Sequence, residues 1–319
     1  MTTAAAPCIA IDDLVVKLDP ASARIRRTAA LAIMIVPGLG FLGALYQLLW
    51  TGSVDTTVWV LFGVMYALHM GGISIGFHRY LAHKSFKTST VFEGILLICG
   101  SLAGQGPIMD WITTHRRHHM YSDREGDPHS PNLHGTGLRG QVRGLWHAHM
   151  PWMLSDETSK WSVFAPDVLS NRRLFFYHRT YLVWVFTGLA LPALIGLAVD
   201  RSVDGAVNGL LFGGLARMFV VNQASWCVGS FAHMFGARPF RTGDNSANNL
   251  PVAVLTFGEG LQNNHHAFPS SYRLWMRWWE PDLGGWLLAL FRQVGIVREL
   301  RQPGPETVAR RRRVPETTA

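Results

Sequence analysis

Charge is scarce in this sequence. Asp, Glu, Lys and Arg make up 16% of its 319 residues, against about 25% in ordinary soluble domains, which argues against a chain surrounded by water. Cysteine is scarcer still. Cys8, Cys99 and Cys227 are widely spaced and odd in number, so neither a disulfide framework nor a thiolate zinc or iron–sulfur motif can be assembled from them. No P-loop string occurs, and the long apolar runs contain no carboxylates, so the groups that membrane ion carriers use are missing. Asp12, Asp13 and Asp19 precede any long apolar run, unlike the start of a cleaved signal peptide.

What the chain has instead is apolar surface: 48% hydrophobic residues, including 12 Trp and 17 Phe. The formal charge of +8 is not laid out as a stripe for nucleic acid. Arg24, Arg26 and Arg27 stand before the first apolar run, and Arg310 to Arg313 stand in the tail, a pattern that fits the flanks of membrane helices and attraction to anionic lipid. Membrane lipid, not nucleic acid, is the expected partner.

Residues 28–50 are uncharged and as a helix would reach roughly 34 Å, enough for a bilayer core of about 30 Å. Residues 56–77, 181–199 and about 206–234 are further spanning candidates; the last holds Arg217, Asn222 and Gln223. The uncharged run Gly94–Met109 is short and carries Gly100, Gly106 and Pro107, so it reads as interfacial or packed on the bundle. Residues 113–178 and 237–290 are largely polar. Residues 1–27 read as a polar cytosolic lead-in with one short amphipathic stretch, 28–301 as a single membrane domain without a linker, and 302–319 as a basic, disordered tail. The expected fold is an all-α integral membrane protein: four transmembrane helices under a cytosolic helical cap. Four crossings put both termini and every long polar segment on one side. The two short loops opposite, Thr51–Asp55 and Asp200–Gly205, carry one cation, Arg201, so the positive-inside rule makes the long-segment side cytoplasmic.

Fourteen histidines are present, and they cluster. His78 and His83 lie in HRYLAHKSF, His115, His118 and His119 in HRRHH, His265 and His266 in EGLQNNHHAFP, and His233 in FAHMFG. His115, His118 and His119 would share one helical face. His78 and His83, five apart, need a helix end or some unwinding to converge. Under the topology above all four groups reach the same membrane face. Imidazole suits iron, copper, zinc and nickel, and eight imidazoles exceed what one ion can accept, so two metals are expected. Such an all-nitrogen set can hold iron with positions open to O2, for attack on unactivated carbon. A lone histidine near a span is ordinarily a packing residue, which is how His69, His147, His149 and His178 read; His129 and His134 read as loop residues or outer partners. HRRHH taken alone could be a basic surface patch. GLGFLG from Gly38 and GISIG from Gly72 match a dinucleotide fingerprint and a nucleophile elbow letter for letter, but both fall inside expected membrane helices and read as packing glycines. Arg217 reads first as a structural hydrogen-bonding group, and Trp275, Trp278 and Trp279 as an interfacial belt.

GGISIGFHRYLAHKSF, WITTHRRHHMYSDREGDPHSP, LARMFVVNQASWCVGSFAHMFGARPF and GDNSANN with LTFGEGLQNNHHAFP resemble, in that order, the histidine-box segments of the membrane-bound fatty acid desaturases, acyl-CoA (stearoyl-CoA type) branch, over roughly residues 60–270. The resemblance implies a di-iron centre (two iron ions, Fe2+/Fe3+) on His78, His83, His115, His118, His119, His233, His265 and His266. It also implies a kinked acyl tunnel with Trp226 beside it, Asn222 and Arg217 being further tunnel candidates on the same helix. The reaction implied is O2-dependent removal of two hydrogens, with electrons from a separate ferredoxin or cytochrome b5-like carrier.

The sequence departs from the pattern at three places. The third box opens on Gln262 where histidine is usual, and an amide oxygen there would be a weaker, harder ligand. Gly229 stands where an asparagine usually helps to hold a metal-bound water. Thr113 and Thr114 replace the Arg-Asp found near the CoA head group in animal relatives, so the acyl carrier is left open among CoA, acyl carrier protein and lipid. The expected function is an acyl desaturase. Acetylenation, hydroxylation or alkene-forming decarboxylation at the same site is the alternative, and a non-catalytic membrane metal-binding or transport protein the remote one.

Overall fold

A computed structural model describes residues 11–50 and 54–313. Asp19 caps the first helix by accepting from the amides of Ala21 and Ser22, and Pro20 opens it, a position where proline costs no hydrogen bond. This helix, α1 (Pro20–Trp50), therefore starts eight residues before the apolar run. It is followed by α2 (Thr56–Gly71), capped by Asp55. Without a break α2 becomes a π-helix over Gly72–Ala82. A short helix α3 (Thr90–Ser101) packs back on that π segment, and α4 (Ile108–Tyr121) and α5 (Gly137–His149) follow. After α6 (Trp161–Phe164), α7 (Pro166–Leu169) and α8 (Arg172–Arg179) the chain returns through α9 (Tyr181–Asp200). Arg201 turns it in the left-handed region, φ 52°, into α10 (Val203–Asn208), a second π segment (Gly209–Ala216) and α11 (Arg217–Gly229). The remaining helices are α12 (Leu250–Leu255), α13 (Gln262–Ala267), α14 (Leu283–Gln293) and α15 (Pro305–Arg311). Two short antiparallel ladders, 15–17 with 157–159 and 87–88 with 297–298, tie the polar segments together.

Among the described residues four helical stretches are long and apolar enough to cross a membrane: Pro20–Trp50, Thr56–Ala82, Tyr181–Asp200 and Val203–His233. They overlap the four expected runs, the first starting eight residues earlier and the second ending five later, and their outer faces expose large apolar side chains such as Leu39, Trp50, Phe186 and Leu194, as lipid contact requires. The Gly94–Met109 run is not among them; its first half lies in the short apolar helix α3, packed on the bundle.

The glycines of both letter-for-letter motif matches sit inside helices at close approach. A Cβ on Gly40 would come 2.2 Å from Leu215 Cβ, and one on Gly72 would come 2.1 Å from the Gly100 amide nitrogen. They are packing glycines, and both motifs lie within helical segments rather than at a strand-to-helix turn.

One expectation fails. The tail after Gln302 is ordered as far as Arg313: α15 docks on the segment carrying the third histidine string, with Arg311 Nη1 donating to the Ala267 carbonyl at 2.6 Å and Arg313 Nε to the Phe240 carbonyl at 3.1 Å. The guanidinium count that looked like a solvated run supplies specific caps. Residues 314–319 and 1–10, with Cys8, lie outside the described residues, as does Thr51–Ser53 of the first short loop.

Candidate metal centre

The five-residue gap between His78 and His83 is solved by the π-helix. Its i→i+5 pattern brings the His83 amide to the His78 carbonyl at 3.1 Å, so residues five apart stack on one face, and such turns recur at functional sites. The ring centroids of His78 and His83 are 4.8 Å apart. On α4 the three histidines divide. His115 and His119, four apart, face one way with centroids at 4.6 Å, while His118 turns aside, 6.4 Å from His115. His265 and His266 diverge likewise on α13, being successive helical residues.

Among the described residues two all-histidine groups result: His78, His83, His115, His119 and His265 form one, and His118, His233 and His266 form the other, while His118 also converges with Asp127 and His129 in a third, overlapping set. In the first, His83 Nε2 lies 2.7 Å from His115 Nε2, and His265 Nε2 lies 3.0 Å from His78 Nε2 and 2.9 Å from His119 Nε2. In the second, Nε2 of His233 and Nε2 of His266 are buried without a partner.

Carboxylates behind the rings settle which nitrogen faces inward. Glu259 Oε2 is 2.5 Å from His78 Nδ1, Asp127 is 3.0 Å from His118 Nδ1, Asp123 Oδ2 is 3.4 Å from His233 Nδ1, and Asp244 Oδ2 is 2.7 Å from His266 Nδ1. Each accepts a hydrogen bond from Nδ1–H and so leaves an Nε2 lone pair pointing into the group, the usual support of a metal-ligating histidine. Burial pushes the pKa of His83, His115, His119 and His265 well below the ordinary range, and the neighbouring rings add to it. Burial also lowers His266, to about 4, against the pull of Asp244. For His118 burial is outweighed by Asp127, Asp123 and Asp244, and its pKa is raised. Converging neutral imidazoles, with buried nitrogens that no protein group satisfies, fit metal cations and little else.

The carboxylates are themselves fixed. Asp123 sits in the left-handed region, φ 57°, which Asp tolerates better than most residues. It accepts from Ser130 Oγ at 2.6 Å, Asn132 Nδ2 at 2.9 Å and the Asn245 amide at 2.7 Å. Glu259 also takes Ser74 Oγ and Arg79. The sequence reading placed the rings but missed these four acids. Part of the signal was available in SDREGDPH, GDNS and FGEGLQ, where these acids stand close to the boxes.

Gln262 is buried, its Nε2 donating to the Glu259 carbonyl at 2.7 Å. That leaves Oε1 as its atom for a cation. A cavity of about 890 Å3 reaches both groups, touching His78, His115, His118, His233 and Gln262, and runs out between apolar walls that include Ile33, Val36, Trp111, Leu189, Met218 and Trp226. Its size falls within the range of about 300–1,000 Å3 typical of small-molecule sites. Trp226 is among the residues that line it. Arg217 and Asn222 do not line this cavity. Arg217 is buried and bonds the Gly213 and Gly188 carbonyls, each at 3.0 Å, and His69 Nδ1; Asn222 is buried with both amide atoms unpartnered. Of the histidines set aside, His149 bonds Ser230 and Gln223, and His134 pairs with His147.

Residues 56–283 match the family model described as fatty acid desaturase. The chain is 43% identical to a hex-5-enoyl-[acyl-carrier protein] acetylenase of Moorena producens, over 84% of each chain. It is 34% identical to an sn-1 stearoyl-lipid 9-desaturase of Anabaena variabilis over 72% of this chain and 78% of that one. It is 32% identical to acyl-CoA desaturase 1 of Saccharomyces cerevisiae over 85% of this chain and 51% of that one.

Proposed function

The chain belongs to the fatty acid desaturase family, and we propose that within it the protein dehydrogenates a fatty acyl chain at an iron pair. The ligands in this reading are His78, His83, His115, His119 and His265 for one iron, and His118, His233, His266 and Gln262 for the other. The balanced reaction is an acyl –CH2–CH2– unit plus O2, two electrons and two protons, giving –CH=CH– and two waters. Bound iron would supply the O2 activation that acid–base side chains lack. One observation carries the proposal: members of both histidine groups line a single, largely apolar cavity.

The chain's own residues do the rest. Trp226, Met218 and Leu189 hold methylenes against the centre and keep water out. Trp111, stacked on His115 at 5.2 Å and lining the same cavity, fixes that ring beside the substrate path. Glu259, Asp127, Asp123 and Asp244 hold four ligands in one tautomer. The acyl carrier is CoA, an acyl carrier protein or a lipid, and the electrons come from a separate ferredoxin or cytochrome b5-like protein; the excess of basic residues, +8 in all, supports docking of an acidic partner. The distribution of those basic residues supports a cytoplasmic centre with both termini on that side.

A second reading has one specific support. The relative at 43% identity is named an acetylenase, so the same site would remove two more hydrogens from an alkene to give an alkyne. Expression with a donor system, followed by mass spectrometry of total fatty acids, carrier-bound acyl groups and volatile hydrocarbons, tests both. A new monounsaturated acid is expected, and an alkyne would favour the second reading. A protein loaded with two irons that yields no oxidised acyl product would overturn both.

A further inference from the structure

One side of the cavity is formed by the first and third spans, and the two barely meet. α1 and α9 each pack on the second π segment, while little joins them to one another. To the cavity lining α1 contributes Ile25, Ala29, Ala32 and Val36, and α9 contributes Leu182 and Phe186. All six are also exposed, Phe186 at 65% and Leu182 at 63%. A side chain that lines a cavity and also faces outward stands at its edge, so the cavity opens along a slot between the two helices.

The slot lies along the apolar part of the chain. From Arg26 to Pro37 the α1 lining rises roughly 16 Å, about half of a bilayer core of about 30 Å. Behind the slot Met70, Ile73, Met218 and Trp226 are buried and line the same cavity, which continues to His118 and His233. A methylene can therefore pass from lipid to the histidine groups without meeting water, and no apolar surface has to be hydrated on the way.

Arg26 marks the outer end of the slot. It lines the cavity just before the uncharged run that begins at Thr28, at the level where arginine flanks meet lipid phosphates. Its Nε is buried without a hydrogen-bond partner. Asp110, the acid whose charge it reaches, lines the cavity too and accepts from Trp161 Nε1 at 3.2 Å. A guanidinium with donors to spare suits a phosphate oxygen.

We propose that the acyl chain enters sideways, from within the bilayer through the slot between α1 and α9, and that its donor is a membrane phospholipid with its phosphate at Arg26. A donor with two chains can commit only one of them to the cavity. Its glycerol and second chain must stay in lipid, which a slot allows and a closed tunnel does not. The proposal rests on the acyl-chain reading above and selects lipid among its three carriers.

The test is photolabelling of the purified protein in phosphatidylcholine–phosphatidylglycerol nanodiscs doped with a phospholipid that carries a diazirine midway along one acyl chain. Adducts mapped by mass spectrometry should fall on the buried Met70, Met218 and Trp226 as well as on outward-facing residues such as Leu194. In A29W/A32W, where two indoles fill the slot, adducts at the three buried residues should drop severalfold while those at Leu194 persist. Ala32→Trp alone should give part of the same loss, and it carries the test if the double variant does not fold. Arg26→Gln should also reduce the inner adducts. Phospholipid adducts confined to the outer surface would overturn the proposal, as would inner adducts that the filled slot leaves unchanged. Inner adducts obtained only from an acyl-CoA or an acyl-[acyl-carrier protein] with the same diazirine chain would overturn it in favour of that carrier. Labelling needs neither iron nor turnover, so its failure leaves the iron-pair reading standing. A loaded protein that makes no oxidised acyl product would instead fail that reading with the adducts unchanged.

Discussion

Arg79 and Asp282 stand far apart in the chain and meet inside it, Nη2 to Oδ1 at 2.8 Å, with 1% and 0% of their side chains exposed. Arg79 follows His78 on the π-helix, and Asp282 caps α14 by accepting from the Gly285 amide at 2.9 Å. Arg79 also bonds Glu259 and the Phe257 and Tyr272 carbonyls. The pair clamps the first histidine string to the segment that carries the third. Breaking a buried pair leaves a charge without compensation, at a cost of about 3–5 kcal/mol. Asp282→Ala should therefore lower the melting temperature of the purified protein and loosen iron with it; a variant melting like the parent would show that the clamp is dispensable.

Asp127 is expected to matter through the rings it orients. Asp127→Asn keeps the shape but removes the charge that holds the Nδ1 proton of His118. Affinity for one of the two metals should fall about 10- to 100-fold, measured by chelator competition, while the second is held as before.

Replacing Gln262 by histidine should leave iron content unchanged, since an imidazole is at least as good a ligand as an amide oxygen. His118→Ala and His265→Ala should each lose iron and turnover. Full metal content in His265→Ala would refute the assignment of the first group.

Arg311→Ala removes the cap on the Ala267 carbonyl, next to His266, and the stacking of the guanidinium on Phe268 at 5.9 Å. A charged hydrogen bond of this kind contributes about 1.5–3 kcal/mol. The variant should melt earlier and expose the 262–268 segment to hydrogen exchange; unchanged protection there would show the tail to be passive.

Acid should destabilise the metal-free protein. His83, His115, His119 and His265 are held well below their ordinary pKa of 6.5 by burial, and His266 is lowered to about 4. Below about pH 6.5 the unfolded chain binds protons that the folded chain refuses, so stability is present above that value and declines as pH falls toward about 4. Melting temperature followed from neutral pH downward should drop across that window, and a flat profile would mean that the rings are not packed as described.

The spans were legible because lipid contact demands long apolar runs, and Thr56–Ala82 or Tyr181–Asp200 announce themselves by composition. The rings of the centre were legible because few other side chains serve metals. Their division was not: nothing in HRRHH says that His118 leaves its neighbours, since that depends on where α13 and His233 dock. The π-helix left only a five-residue spacing as its trace. Asp123, Asp127, Asp244 and Glu259 were hidden for a different reason. Acids near the surface are common, and their value here lies in contacts across as many as 181 positions, as between His78 and Glu259. Arg311 misled by composition, since four consecutive arginines look solvated until one is seen capping a carbonyl.

The second metal group gathers His118 from α4, His233 from the end of the fourth span and His266 from α13, and the first is likewise completed on α13 by His265. Neither group exists while the ribosome is still making the first three spans. In the iron-pair reading neither ion has its full ligand set until α13 folds back on helices made long before it. Until then the rings are a scaffold of neutral imidazoles, kept in register by carboxylates and Arg79, so completing the centre is as much a matter of order in time as of geometry.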